Sequence, residues 1–128
     1  MNRAGNERTG RQALVLPVKA GISIVEGTMV ALGADGYAVP AGKATGLVAA
    51  GVCQEYADNT AGADGDAMVQ VRRGAFVMGN AGDIEMTDIL KPCYFSDETT
   101  VTLASEGSSI AGRILQVDDD GITVDFMI

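Results

Sequence analysis

The chain has 128 residues and a formal net charge of −8, with nine Lys and Arg against seventeen Asp and Glu. Its length suits one compact domain, and 47% apolar residues can fill a core. The charge disfavours nucleic-acid binding, which needs a basic face, and binding to an anionic membrane surface. Aromatic residues make up only 5% of the chain, so aliphatic side chains and Met must supply most of the core.

The first eleven residues differ in charge from the rest. Their charged side chains are Arg3, Glu7, Arg8 and Arg11. This segment therefore carries +2 and the remainder −10. Turn-forming residues without apolar periodicity predict a flexible N-terminal arm over 1–11 and a single β domain over 12–128. A basic arm can anchor to an acidic neighbour, and a solvated tail is the alternative reading.

The first half of the chain predicts strands separated by tight turns. Strand structure is expected from Gln12, in the run ALVLPV. Asp35-Gly36 lies between two β-rich runs, MVAL and YAVP, and predicts a hairpin. The run ATGLVAAGVCQEY from Ala44 is long enough for a helix, but its Val content and Gly51 favour a strand that closely approaches another backbone.

The middle of the chain predicts a loop, a strand and a helical turn. Residues 59–66 contain no packing residues and predict an exposed loop. From Ala67 to Met78 apolar and polar residues alternate, until Gly74 introduces a bulge or bend. One helical turn is expected from Asp83 to Leu90, capped by Asp83 and ended by Pro92.

The C-terminal part predicts three further strands. These are TVTLAS from Thr100, IAGRILQV from Ile110 and ITVDFMI from Ile122. An Asp-Gly turn separates the last two. In the last run one face holds Ile122, Val124, Phe126 and Ile128. This terminal strand is expected inside a sheet, because its apolar face would otherwise be exposed.

Strands recurring roughly every 8–12 residues predict a mostly β fold, a small barrel or sandwich with one short helical turn. The two halves of the chain also echo each other. Each contains a strand, an acidic turn, a strand, a small-residue loop and an apolar strand with Gly. This pattern fits two similar β-arches in one barrel.

The residues needed for common catalytic chemistry are missing. The chain has no His, which removes Ser-His-Asp and Cys-His arrangements and the commonest metal ligand. No phosphate-binding glycine loop or dinucleotide motif is present. Cys53 and Cys93 are interpreted as small core residues in a chain expected in a reducing cytoplasm. We therefore expect no catalytic residues, no cofactor and no metal.

The acidic clusters have two readings each. Asp118, Asp119 and Asp120 precede a glycine and predict a hairpin turn rather than a metal site. Asp58, Asp64 and Asp66 lie in a glycine-rich segment that could wrap calcium, but they lack the EF-hand spacing and its closing Glu. A solvated loop is the favoured reading.

Arg72 and Arg73 form the one basic doublet outside the arm. Consecutive side chains of a strand point to opposite faces, so one would face solvent while the other could reach an acidic neighbour. An ordinary solvated pair is the favoured reading. The candidate interface residues are Arg3, Arg8, Arg11, Arg72 and Arg73.

Four segments carry a resemblance to a known family. They are EGTMVALGADG from Glu26, GLVAAGVC from Gly46, VQVRRGAFV from Val69 and IAGRILQVDDDGITVDF from Ile110. In this style of short apolar strands and small-residue loops, residues 12–128 resemble the capsid decoration or cement proteins of tailed phages and prophages, small β-rich proteins encoded beside the major capsid protein. The basic arm departs from the family's short N-terminus.

The resemblance implies a β-barrel or β-tulip-like domain that binds the outer surface of a phage capsid as a homotrimer. The implied partner is the major capsid protein, and the implied location is the virion, after assembly in the bacterial host cytoplasm. Neither catalysis nor a cofactor is implied. The alternatives are another phage structural component, such as a head-fibre base or tail protein, and a β-barrel ligand-binding module.

Overall fold

The computed structural model describes residues 13–126. The predicted arm, with Arg3, Arg8 and Arg11, lies outside these residues, as does Ile128. Within them the chain forms twelve strands and one 3₁₀ turn, η1. The strands are β1 (Ala13–Pro17), β2 (Ser23–Ile24), β3 (Met29–Leu32), β4 (Ala38–Pro40), β5 (Val48–Cys53), β6 (Ala57–Asp58), β7 (Met68–Arg72), β8 (Ala75–Asn80), β9 (Pro92–Phe95), β10 (Thr100–Thr102), β11 (Ile110–Asp118) and β12 (Gly121–Asp125), and η1 is Met86–Asp88.

Ten of these strands form two five-stranded sheets with the same topology. The first sheet has the order β1-β7-β5-β3-β4, and the second has the order β8-β12-β11-β9-β10. The second closes into a barrel because β10 also pairs in parallel with β8. The prediction of a mostly β fold with a barrel and one short helical turn is confirmed. The remaining two strands, β2 and β6, form a separate ribbon.

The two sheets match in register as well as in order. Val30 pairs with Gly51 in the first sheet, as Cys93 pairs with Gly112 in the second. A β-bulge adjoins each of these pairs. The closure also has a counterpart, because Val101 pairs with Asn80 and an isolated parallel bridge joins Val18 to Ala38. The echo in the sequence therefore reflects two equivalent halves, the first containing β1–β7 and the second β8–β12. Each predicted arch lies in its own sheet rather than in one shared barrel.

Each half has its own hydrophobic core. The first core contains Val18, Ile24, Val30, Ala38, Ala50, Cys53, Ala57, Val69 and Val71. The second contains Met78, Ile84, Cys93, Phe95, Val101, Ala111, Ile114, Ile122, Val124 and Phe126. Met29, Ala31, Ala41 and Val52 of the first half pack into this second cluster. The halves are therefore joined by apolar contact.

Most of the predicted elements are present at the expected places. β3 and β4 form the hairpin over the Asp35-Gly36 turn, and β5 is the predicted strand. Gly74 ends the alternation with a φ of 119°, between a strand of the first sheet and one of the second. The last described strand, β12, lies between β8 and β11, and Ile122, Val124 and Phe126 are fully buried or nearly so.

Two local predictions are wrong. Asp83 does not cap the helical turn, because its carboxylate accepts hydrogen bonds from the Thr102 hydroxyl and the Leu103 amide. The turn itself is shorter than expected and begins after Glu85. Asn59 is buried, although its segment was predicted to be exposed, because its side-chain amide donates to three backbone carbonyls. These are the carbonyls of Val18, Lys19 and Ala63.

Gly112 allows the close approach of β11 and β12. A Cβ atom at this position would lie 2.4 Å from the backbone oxygen of Asp125 and 2.7 Å from a Val124 methyl group. Gly112→Ala should therefore force the strands apart and lower the free energy of unfolding by about 1–3 kcal/mol. Urea denaturation of Gly112→Ala and of Gly42→Ala, where a Cβ would meet nothing within 4 Å, tests this. Equal stability of the two variants would contradict the steric explanation.

Candidate interaction surface

The junction between the halves involves one outward face of the first sheet. Met29, Ala31 and Val52 alternate with the residues of the first core, so their side chains point away from it. All three are buried by the second half. Hydrogen bonds strengthen the junction, since the Met29 amide donates to the Glu98 carbonyl at 2.7 Å and the Leu47 amide donates to the Ser109 hydroxyl at 3.0 Å.

A cleft of about 270 Å³ remains open at one side of this junction. Its first-half lining is Glu26, Gly27, Val52, Cys53 and Gln54, and its second-half lining is Phe76, Val77 and Met78. A second cleft of about 270 Å³ lies at the start of β1, lined by Ala13, Leu14, Val15, Gln54, Gln70, Val71 and Arg72. The polar side chains of the linings are Glu26 and Gln54 in the first cleft and Gln54, Gln70 and Arg72 in the second.

Leu90 occupies a strained position next to η1. Its φ is +73°, and it is the only non-glycine residue of 13–126 with a positive φ. The equivalent residue of the first half is Gly27, with a φ of +86°. Leu90 donates its amide proton to Ile114 and Gly27 donates to Cys53, at matching positions of the two sheets. The fold requires this backbone conformation twice, and a leucine adopts it at a cost of roughly 1–2 kcal/mol.

The Leu90 side chain does not compensate for this strain within the chain, because it is 63% exposed. Leu115, which follows Ile114 in a bulge of β11, is 39% exposed, and Ile89 is 38% exposed. A strained, exposed apolar residue suggests a role in contacting another molecule. Sequence reasoning missed this position, because leucine gives no local signal of a positive φ.

Asp88 holds the backbone beside Leu90. Its carboxylate accepts hydrogen bonds from the Glu85 amide at 2.8 Å and from the Lys91 ammonium group at 3.0 Å. The hydrogen bond from the Glu85 amide and the nearby Lys91 ammonium group hold the pKa of Asp88 below its ordinary value. The negative charge of Asp88 therefore stabilises the turn that presents Leu90.

Arg72 and Arg73 have different surroundings. Arg72 is exposed at the end of β7, whereas Arg73 is half-buried and its guanidinium group donates to the Phe126 carbonyl at 3.3 Å. The Arg73 Nε atom is buried without a hydrogen-bond partner. Whether either arginine contacts a neighbouring molecule stays a prediction, as does the interface role of Arg3, Arg8 and Arg11.

The acidic residues considered as metal ligands accept hydrogen bonds from backbone and side-chain groups of the chain itself. Asp58 accepts hydrogen bonds from the amide and hydroxyl of Thr60, which lower its pKa. Asp64 accepts from Ala20, and Asp66 accepts from Ala63. Asp118 accepts from the amide of Asp120 in the β11–β12 turn. Within residues 13–126, no three His, Cys, Asp or Glu residues are grouped so that they could hold a metal ion.

The cysteines are buried thiols, as predicted. Cys53 lies in the first core and Cys93 in the second, and neither forms a disulfide. Burial raises the pKa of both thiols, to about 11 for Cys93. At neutral pH they are therefore protonated and poor nucleophiles.

No family model, curated protein or solved structure matches the chain in the three comparisons with known proteins. In the described part of the chain, no helix has the length and apolar character needed to cross a membrane.

Replacing Asp88 with asparagine should lower stability at neutral pH, because the ion pair with Lys91 and the charge-assisted bond from Glu85 are lost. The pKa of Asp88 is lower in the folded than in the unfolded chain, so its contribution is present above the unfolded value of about 3.9. It is lost as the pH falls through the lower folded value.

Urea denaturation of wild type and Asp88→Asn at neutral pH and at a series of acid pH values measures this effect. The stability difference should be present at neutral pH and shrink in acid. Asp119→Asn, at the exposed β11–β12 turn, is the matched control and should change little at either pH. A pH-independent loss in Asp88→Asn would contradict the electrostatic explanation.

Proposed function

We propose that the protein is a non-catalytic structural component of a phage virion, which binds the outside of the capsid and stabilises the shell, as a trimer. The main supporting observation is the number of large apolar side chains exposed on a small acidic protein. Among residues 13–126 these are Val15, Val25, Val48, Tyr56, Met68, Val77, Met86, Ile89, Leu90, Ile110 and Leu115. Exposed apolar side chains mark contacts with other proteins where they lie together in one patch, and we propose that some of these residues form such a patch.

The scaffold also suits such a role. The two equivalent β-sheets have tight backbone approaches at Gly51 and Gly112, and six of these eleven exposed side chains stand on strands of the two sheets. The four segments that resemble capsid decoration proteins include both glycines. The major capsid protein is therefore the partner that we propose. Another phage structural role, at a head fibre or tail, is the alternative that shares this support.

Mixing the purified protein with expanded empty capsids tests the proposal. Co-sedimentation should show saturable binding to assembled shells, weak or no binding to free capsid protein, and greater resistance of decorated shells to heat or denaturant. Sedimentation velocity of the protein alone should show a trimer. Binding to isolated tails but not to heads would support the alternative, and a monomer that ignores both would contradict the proposed function.

The arm gives a separate prediction. Deleting residues 1–11 should weaken capsid binding and leave the unfolding transition of the remaining chain unchanged, because the arm has no apolar periodicity with which to pack against the β domain. Arg3→Gln, Arg8→Gln and Arg11→Gln combined should weaken binding in the same direction, and the difference from wild type should shrink with added salt. Lys43→Gln, at an exposed lysine of the β4–β5 loop, removes one positive charge outside the arm and is compared with each single arginine variant. Unchanged capsid binding would assign the arm no anchoring role.

A further inference from the structure

The equivalence of the two halves gives each surface of one half a counterpart on the other. In the first half, Met29, Ala31 and Val52 are covered by the second half. From the strand registers, their counterparts in the second half are Pro92, Tyr94 and Arg113. Pro92 and Arg113 are exposed and Tyr94 is half-buried. The face that joins the halves within the chain is thus repeated on the second half, where none of residues 13–126 buries it.

The border of this uncovered face is more apolar than that of the covered one. Ile89 and Leu90 replace Glu26 and Gly27, which line the cleft between the halves. Leu115 takes the place that follows Ile114, as Gln54 follows Cys53. We define the Leu90 face as Ile89, Leu90, Pro92, Tyr94, Arg113 and Leu115.

The rim of the surface that covers this face also has a counterpart. Val77 of β8, which is 55% exposed, lines the cleft between the halves, and the equivalent residue of β1 is Val15, which is 61% exposed. Ser109, which bonds to the first half, corresponds to Val48, which is 62% exposed. We define the Val15 face as Val15, Val48 and the cleft at the start of β1. Its exposed valines and its cleft leave room for protruding apolar side chains.

We propose that copies of this chain associate head to tail, with the Leu90 face of one copy packed against the Val15 face of the next. The contact between copies repeats the contact between the halves. Within the chain, Gly27 and Gln54 leave an open cleft at the edge of the contact. Between two copies, Leu90 and Leu115 occupy the equivalent positions and fill that space. Burial of Leu90 between copies accounts for a leucine at a backbone position that the first half gives to glycine.

The two faces lie on different strands, so the contact is heterologous rather than two-fold symmetric. A heterologous contact forms either a closed ring or an open filament. A closed ring agrees with the proposed function. The contact itself does not depend on that function, and only the copy number of three rests on it. Three copies would place six equivalent five-stranded sheets around the ring.

Two double variants test the contact directly. The first, Leu90→Asn with Leu115→Glu, damages only the Leu90 face, and asparagine tolerates the positive φ. The second, Val15→Glu with Val48→Glu, damages only the Val15 face. In sedimentation velocity, wild type should form a discrete oligomer, and each variant alone should associate at least about tenfold more weakly. An equimolar mixture should form a one-to-one pair, because each variant keeps the face that the other lacks.

The remaining outcomes oppose the proposal. A monomeric wild type, a variant that assembles like wild type, or a mixture that stays monomeric would each overturn it. An unaffected Val15 variant would assign that face to another occupant, such as residues 1–12 or the capsid. Val25→Glu, at a valine outside both faces that is 51% exposed, should assemble like wild type. If a glutamate variant fails to fold, serine at the same positions gives the same comparison.

Leu90→Gly separates association from folding. Glycine relieves the backbone strain at φ +73°, so the isolated monomer should resist denaturant better than wild type at concentrations where both are dissociated. The same variant should associate at least about tenfold more weakly. Loss of monomer stability, or unchanged association, would contradict the role of Leu90. Capsid binding is measured separately, so a ring that ignores capsids would refute the proposed function and leave this contact intact.

Discussion

The burial of an outward face of the first sheet determines how the molecule is organised. A strand of a small barrel normally points alternate side chains to a core and to water. Here Met29, Ala31 and Val52 point away from the first core and are nevertheless fully buried or nearly so, because the second half covers them. The first half thus has apolar residues on both sides of β3 and β5. A chain with few aromatic residues obtains a larger shared core in this way, and separating the halves would expose that core to water.

The two halves keep the same backbone arrangement with different side chains. Both halves have an Ala-Gly pair at equivalent positions, Ala50-Gly51 in β5 and Ala111-Gly112 in β11. The glycine is required in both, because a Cβ atom there would collide with a backbone oxygen of the neighbouring strand. Outside such constraints the halves differ most on their surfaces. At positions where a larger side chain would collide, the two halves have the same residue. At other positions the strand pairing accepts many residues, and the two halves differ. Leu90 is the exception, since it occupies a position whose backbone favours glycine.

Much of the fold could be predicted from local pattern. Alternation in the run from Ile122 and the Asp35-Gly36 turn depend on neighbouring residues, and both predictions are confirmed. The repeat was visible only as a faint echo, because equivalent registers do not require similar side chains. Asn59 was predicted to be exposed because its burial depends on carbonyl groups about forty residues away in sequence. The exposed apolar faces could not be predicted either, since they emerge only when Leu90 is compared with Gly27 through the strand pairing. Of the candidate interface arginines, the structure locates Arg72 and Arg73, and the other three belong to the arm.

The positions of the two thiols allow local opening of each half to be measured by thiol labelling. Cys53 and Cys93 are the only cysteines of the chain, and each lies in a different core. Each sulfur also donates to a backbone carbonyl, Cys53 to Glu55 and Cys93 to Gly112. Cys93 is fully buried and Cys53 is 1% exposed although it lines the cleft between the halves, so a thiol reagent must wait for the surrounding strands to move. The chain therefore carries one native labelling site in each half. The labelling rates of the two thiols report whether the halves open together or one at a time.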